Sequence, residues 1–259
     1  MIQVENLVKD FKLTSKQRKE LGVKDDYYRA VDSITFSCQP GRIFSLLGPN
    51  GAGKTTTLRI LSTIFSPTSG KVSVCGFDVT KEPQKVREKI GFLTGSTGLY
   101  GRLTPNELLD YFANLYTVNT KEHIERKAYL IDLLKMETFM NKRISKLSTG
   151  MKQKVSICRT IIHDPEIVIF DEPTSGLDVV SAENIISLIR DCKNQGKTVI
   201  FSSHIMSEVD LLCDDLGIIH QGKMKFLGDM NSFRTNMKEI NLTSEFIRIV
   251  NNEDNLVDI

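Results

Sequence analysis

The sequence predicts an α/β fold: a mainly parallel sheet between helices, with antiparallel strands ahead of it and a helical segment inserted into it. Three observations predict it. Short apolar runs at residues 42–47, 166–170 and 197–202 read as strands buried on both faces, as parallel sheets require. Each lies beside a helical segment, and that alternation marks parallel strands covered by helices. Residues 95–147 instead hold consecutive segments with apolar residues at helical spacing.

In chain order, residues 2–11 and 30–38 read as strands, the second with Ile34, Phe36 and Cys38 on one side. Between them, residues 12–26 are polar and lysine-rich. Pro40-Gly41 is a turn signal, and the strand at 42–47 ends in a glycine-rich loop that opens a helix from Lys54. Strands follow at 71–75 and 90–93. Thr104 caps the next helix, with Pro105 in its first turn and Leu108, Leu109, Phe112 and Leu115 along one face. A second helix over about 121–136 uses Ile124, Ala128, Ile131 and Leu134 in the same way. A third follows Ser148, with Met151, Val155, Cys158 and Ile162 on one face. Residues 216–220 and 223–227, joined by Gln221-Gly222, read as a hairpin. The expected organisation is one domain over 1–230, with the helical subdomain at about 95–147 inserted, and a short polar tail at 231–259.

Composition narrows the class. The chain has 259 residues, 40% hydrophobic and 25% charged, the balance of a globular protein with a full core. A net charge of +2 calls for no nucleic-acid or anionic-membrane partner. The five cysteines (Cys38, Cys75, Cys158, Cys192, Cys213) are scattered and read as reduced thiols. The first residues lack the order of a secretion signal, and no window approaches the roughly 18 apolar residues of a membrane span. A soluble chain is expected, with any membrane role reached through a partner.

Gly48, Pro49, Asn50, Gly51, Ala52, Gly53, Lys54 and Thr55, with Thr56 behind them, match G-x-x-x-x-G-K-[ST] between a strand and a helix. Glycines let consecutive backbone N–H groups turn onto one anion, and the helix N-terminus adds its positive dipole end. Lys54 supplies a mobile charge for the β- and γ-phosphates, and the Thr55 hydroxyl can ligate Mg²⁺. This is a nucleotide site. Residues 167–172 then form an apolar strand ending in Asp171 and Glu172, at the carboxyl edge where open α/β sheets bind ligands. Asp171 would hold the Mg²⁺ shell and Glu172 would orient the attacking water. Strand neighbours face opposite ways, so both roles need the chain to be leaving the strand, and Pro173 fits that exit.

Three further elements complete an ordered set: Leu147-Ser-Thr-Gly-Met151 before a helix with Ser148 as its cap, Ser175-Gly-Leu-Asp178 after the acidic strand, and His204 at the end of the next strand. The set resembles the ATP-binding cassette (ABC) family, with its phosphate loop, L-S-G-G-Q signature, acidic strand, D-loop and switch histidine. The likeness runs to about Gly228. The wording around 91–104 is similar to ATPase subunits of the sodium-exporter (NatA) type, which pair with ABC-2-type membrane permease subunits. The resemblance implies a P-loop NTPase core, ATP and Mg²⁺, and a head-to-tail homodimer or pseudo-dimer. In it, Ser148, Thr149 and Gly150 would cap the ATP held by the partner subunit. It further implies that Asp178 communicates across the interface, that His204 contacts the γ-phosphate, and that residues 99–104 of the lobe meet the membrane subunit at the cytoplasmic face.

This chain departs from the family in three places. Thr149 and Met151 stand where the signature usually has Gly and Gln. Gly95 stands where a glutamine usually touches Mg²⁺ and water. The 12–26 stretch is longer than usual, and there the family stacks adenine on an aromatic, for which Phe11 is the first choice and Tyr28 the second. The resulting expectation is an ATP-hydrolysing subunit of an exporter, of sodium by family likeness, with drugs, antibiotics or lipids as alternatives. A nucleic-acid or ribosome-acting relative typically carries two cassettes or a long coiled coil, and neither shows in these residues. A P-loop small-molecule kinase would need neither the signature nor Asp178.

Overall fold

The computed structural model describes residues 1–22, 25–94, 98–116 and 118–251, apart from the side chains of residues 20 and 21. Strand β1 (Ile2–Lys12) is followed by helix α1 (Ser15–Leu21), β2 (Tyr27–Cys38), β3 (Ile43–Leu47), α2 (Lys54–Leu61), β4 (Ser69–Val74), β5 (Phe77–Asp78), α3 (Pro83–Lys89) and β6 (Ile90–Leu93). Helices α4 (Pro105–Leu115), α5 (Thr120–Leu133) and α6 (Thr149–Ile161) come next, then β7 (Ile167–Asp171), α7 (Val179–Asn194), β8 (Thr198–Ser203) and α8 (Met206–Leu212). The chain continues through β9 (Asp215–His220), β10 (Lys223–Asp229), α9 (Met230–Asn236) and α10 (Leu242–Asn251).

The central sheet has the order β10-β9-β3-β8-β7-β6, parallel except for the closing β9–β10 hairpin. A second, antiparallel sheet has the order β2-β1-β4-β5. Successive residues of a strand point to opposite faces, and the central strands divide their side chains accordingly. Ile43, Leu47, Val168, Phe170, Val199 and Phe201 enter one apolar cluster, shared with α6, α7 and the inserted helices. Phe44, Leu46, Ile167, Ile169 and Ile200 enter the other, shared with α2 and the antiparallel sheet. Every residue of β3, β7 and β8 is buried. The unbroken apolar runs therefore serve two cores at once. All five cysteines are free thiols. Among the described residues no helix is long and apolar enough to cross a membrane.

Three parts differ from the sequence expectation. Residues 12–26 hold α1, closed by a capping box in which the Thr14 side chain and Gln17 satisfy each other's backbone N–H groups. Helix α5 is turned by about one residue. Ile124 is 61% exposed, while His123, Leu130 and the cap residue Leu134 are buried. The cause is electrostatic: Asp110 of α4 lies 2.7 Å from His123 Nε2 and 2.6 Å from Lys127 Nζ, so polar pairs hold the inward face. The stretch past Asn231, expected as a polar tail, instead folds as α9 and α10. Phe233 and Ile249 are buried, and Arg234 binds Asp210 of α8 at 2.7 Å. Glu245 is fully buried, yet its carboxylate accepts from the backbone N–H groups of Lys238 and Glu239 and from the Arg248 guanidinium. The Arg248 hydrogen bond leads in holding the Glu245 pKa below its ordinary value.

Candidate functional site

The loop after β3 enters α2 through Gly53, whose φ of +108° and 2.6 Å approach of a virtual Cβ to the Ala30 carbonyl leave room for glycine alone. That turn delivers Lys54 into the cradle. Lys54 is 4% exposed, and its ammonium donates to the carbonyls of Gly48 (2.7 Å) and Pro49 (3.1 Å). It also lies 3.3 Å from Glu172 Oε1. The cavity here, of about 180 Å³, is lined by Asn50 through Thr56, Tyr28, Ala30 and Glu172.

Strand β7 brings the acids in. Asp171 is its last residue, and the Thr55 hydroxyl donates to Asp171 Oδ1 at 3.0 Å. Glu172 has a φ of +49°, a left-handed conformation rare for a residue with a side chain. The strand's alternation ends there: Glu172 lines the cavity, while Asp171 stays on the Thr55 hydroxyl beside it. Glu172 Oε1 lies 3.4 Å from His204 Nδ1, just past the end of β8.

Ser202 of β8, not singled out from sequence, joins the parts. Its hydroxyl donates to Asp171 Oδ1 at 2.8 Å and accepts from the Glu172 N–H at 3.0 Å. Behind it, Glu208 of α8 accepts from Thr174 (2.5 Å) and Ser203 (2.9 Å). The available signal was the Ser-Ser-His end of a strand next to the acidic strand; register alone reveals that Ser202 pairs with Asp171.

The signature residues stand apart from this cavity. Ser148 caps α6 by accepting from the Met151 N–H, and both Ser148 and Thr149 are exposed. At Gly150 a Cβ would come within 3.0 Å of Ser181 Oγ, so the signature backbone packs closely on the start of α7. Asp178 caps α7 through the Ser181 N–H and hydroxyl, bonds that lower its pKa. Val179 and Val180 beside it are 86% and 74% exposed. Phe11 is not among the residues that line the cradle: its ring meets Phe65 edge-on at 5.4 Å under Lys9, whereas Tyr28 is one of the lining residues. Gly95 lies outside the described residues.

The arrangement fits a nucleotide triphosphate with Mg²⁺. A buried lysine, a helix N-terminus and inward backbone surround an anion-sized space, and the Thr55–Asp171 pair offers two hard oxygens side by side. Among the described residues no three His, Cys, Asp or Glu side chains converge on a metal site.

The ABC transporter family profile matches residues 31–175, from β2 through the β7 exit. The chain is an ABC-family ATPase. A second profile, described as an AAA domain (putative AbiEii toxin, type IV TA system), matches residues 141–210. The ABC transporter ATP-binding protein NatA of Bacillus subtilis (strain 168) is 44% identical over 213 residues, covering 81% of this chain and 85% of NatA. The linearmycin resistance ATP-binding protein LnrL of the same organism is 38% identical, covering 76% of this chain and 64% of LnrL. Among solved structures, the dimer of a bacterial ABC transporter cassette superposes with a TM-score of 0.77 at 25% identity, covering 89% of this chain and 99% of that one. The chain is thus an ABC transporter ATP-binding subunit with the fold of those ATPases.

Proposed function

We propose that this ABC subunit works as one half of a homodimer or pseudo-dimer that closes on two ATP–Mg²⁺ and drives export through a separate ABC-2-type membrane subunit. The observation that carries the reading is a division of labour. The cradle and Glu172 line one cavity, with Asp171 bonded to Thr55 and His204 3.4 Å from Glu172, while a second helix start at Ser148 is exposed and is not among the residues lining it. An anion site that cannot serve its own nucleotide suits a neighbour's.

Lys54 then grips the β- and γ-phosphates, and Thr55 with Asp171 holds Mg²⁺, which offsets phosphate charge when bound. Glu172 orients the attacking water, and His204 stands beside Glu172 where it can reach the γ-phosphate. Tyr28 stacks adenine, a role supported by its place in the cavity lining, which lacks Phe11. Ser148, Thr149 and Gly150 cap the neighbour's ATP, and Asp178 lies at the shared face. ATP at that face favours the closed pair, and hydrolysis removes the contacts that hold it shut. The subunit would work at the cytoplasmic face of the membrane, without a nucleic-acid partner.

Glu172→Gln tests the reading: it should keep ATP binding, lower turnover by about 10²–10⁴-fold and run as a dimer in ATP on size exclusion. A monomer hydrolysing at the wild-type rate refutes the assignment. For the cargo we propose sodium. LnrL, whose name records linearmycin resistance, favours a second reading in which an antibiotic is exported. Sodium flux from vesicles holding the chain and its membrane subunit, with ATP present and absent, separates the two.

A further inference from the structure

The turn that follows β7 is tied on several sides. Ser202 accepts from the Glu172 N–H at 3.0 Å, and Glu208 accepts from the Thr174 hydroxyl at 2.5 Å. Within the turn, the Ser175 N–H donates to the Glu172 carbonyl at 3.2 Å. One further bond comes from α6. Gln153, half-buried in the second turn of that helix, donates through Nε2 to the Pro173 carbonyl at 2.9 Å. A carbonyl only accepts, so the amide nitrogen is the atom that must face it.

Proline turns this bond into a hold on its neighbour. The pyrrolidine ring fixes φ at about −65°, so a tethered carbonyl leaves Pro173 little freedom, and the peptide that joins it to Glu172 follows. Pro173 is buried, and the φ of +49° at Glu172 is a conformation that persists only where the surroundings impose it. Ser202 holds the amide on one side of that residue, and Gln153 holds the proline on the other. The Glu172 side chain therefore enters the cavity from a backbone gripped at both ends.

The two grips belong to different parts of the fold. Ser202 stands on β8 of the central sheet, whereas Gln153 stands on the helix whose start carries Ser148, Thr149 and Gly150. Gly150 of that helix also packs on Ser181, so α6 meets the chain on both sides of the 174–178 segment.

We propose that Gln153 is a positioning residue for Glu172, holding its carboxylate on line through the Pro173 carbonyl. The proposal rests on the reading above that Glu172 orients the attacking water. It adds a side chain outside the cavity to the machinery of hydrolysis, and none to that of nucleotide binding.

The test measures steady-state and single-turnover ATP hydrolysis by the full chain with Mg²⁺. Gln153→Met keeps the length of the side chain and removes its donor. It should lower kcat by about tenfold or more and leave ATP affinity by calorimetry unchanged, because a small misplacement of a reacting group costs rate rather than binding. In the Glu172→Gln background the same change should cost nothing more, since residues that act through one another do not add. Should Gln153→Met not fold, Gln153→Glu, which sets an oxygen against the carbonyl, reads the same loss. Wild-type kcat in these variants, a fall in ATP affinity that matches the fall in kcat, or an equal loss in the Glu172→Gln background overturns the proposal and leaves the role of Glu172 standing. A Glu172→Gln chain that hydrolyses at the wild-type rate overturns both.

Discussion

The cradle end and the signature end of this chain are built by opposite rules. At the cradle, the central polar groups find their partners at home: Lys54 on two carbonyls and Glu172, Thr55 and Ser202 on Asp171, Thr174 and Ser203 on Glu208. At the signature end, Ser148, Thr149 and Asp178 lie open beside two valines that are 86% and 74% exposed. The first region is organised before anything binds. The second, on the proposed reading, is finished by another molecule. Damage to the first should therefore be felt by one isolated chain, and damage to the second only by the pair.

The sharpest break is Lys54→Ala. Removing the lysine cation from the phosphate space should weaken ATP binding by about 100-fold or more, measured by calorimetry on the monomer; unchanged affinity contradicts the cradle assignment. Val180→Asp attacks the other end. It should leave melting temperature and monomer ATP affinity as they are, since surface changes usually stay within about 0.5 kcal/mol. Nucleotide-dependent pairing should fall by about tenfold or more, read by size exclusion. If pairing persists, the valines are not at the shared face. Ser202→Ala sharpens the contrast from within the cradle. It leaves Asp171 and the Glu172 N–H each one bond short, at a cost of about 1–3 kcal/mol of stability. Turnover should fall with it while ATP affinity changes little, and wild-type turnover would remove Ser202 from the positioning role.

The smallest effect lies far from both regions, at Glu245. Its folded pKa is lowered, so its contribution to stability is present above the ordinary glutamate range and is lost as pH falls through the folded value. Glu245→Gln should cost about 2 kcal/mol at pH 7, with the gap from wild type narrowing as the solution is acidified below about pH 4. Melting curves across pH 3–7 check it; a constant gap would mean that charge plays no part.

What could be read before the structure follows from where the physics is local. Strands β3, β7 and β8 announce themselves because two cores must be fed from one run of residues. The phosphate loop is legible because glycine and lysine have few substitutes there. The orientation of α5 was not, since apolar periodicity favoured Ile124 and the tertiary pairs of Asp110 with His123 and Lys127 turned the other face inward. The last two helices were missed because their polarity is satisfied inside, with Glu245 at the centre of a bonded turn. Phe11 and Tyr28 are cross-strand neighbours in β1 and β2, so sequence could not say which ring reaches the cavity. Ser202 acts through strand register, which exists only once the sheet has formed.

The inverted backbone at Glu172 sets a manufacturing tolerance of zero residues. With one peptide between them, Asp171 and Glu172 have no backbone slack to share. An added residue would swing the second carboxylate off its histidine neighbour, and a deleted one would pull the first off the threonine hydroxyl. The direction in which the second acid leaves the chain is therefore set by backbone torsion at Glu172, before its side chain adds any reach of its own.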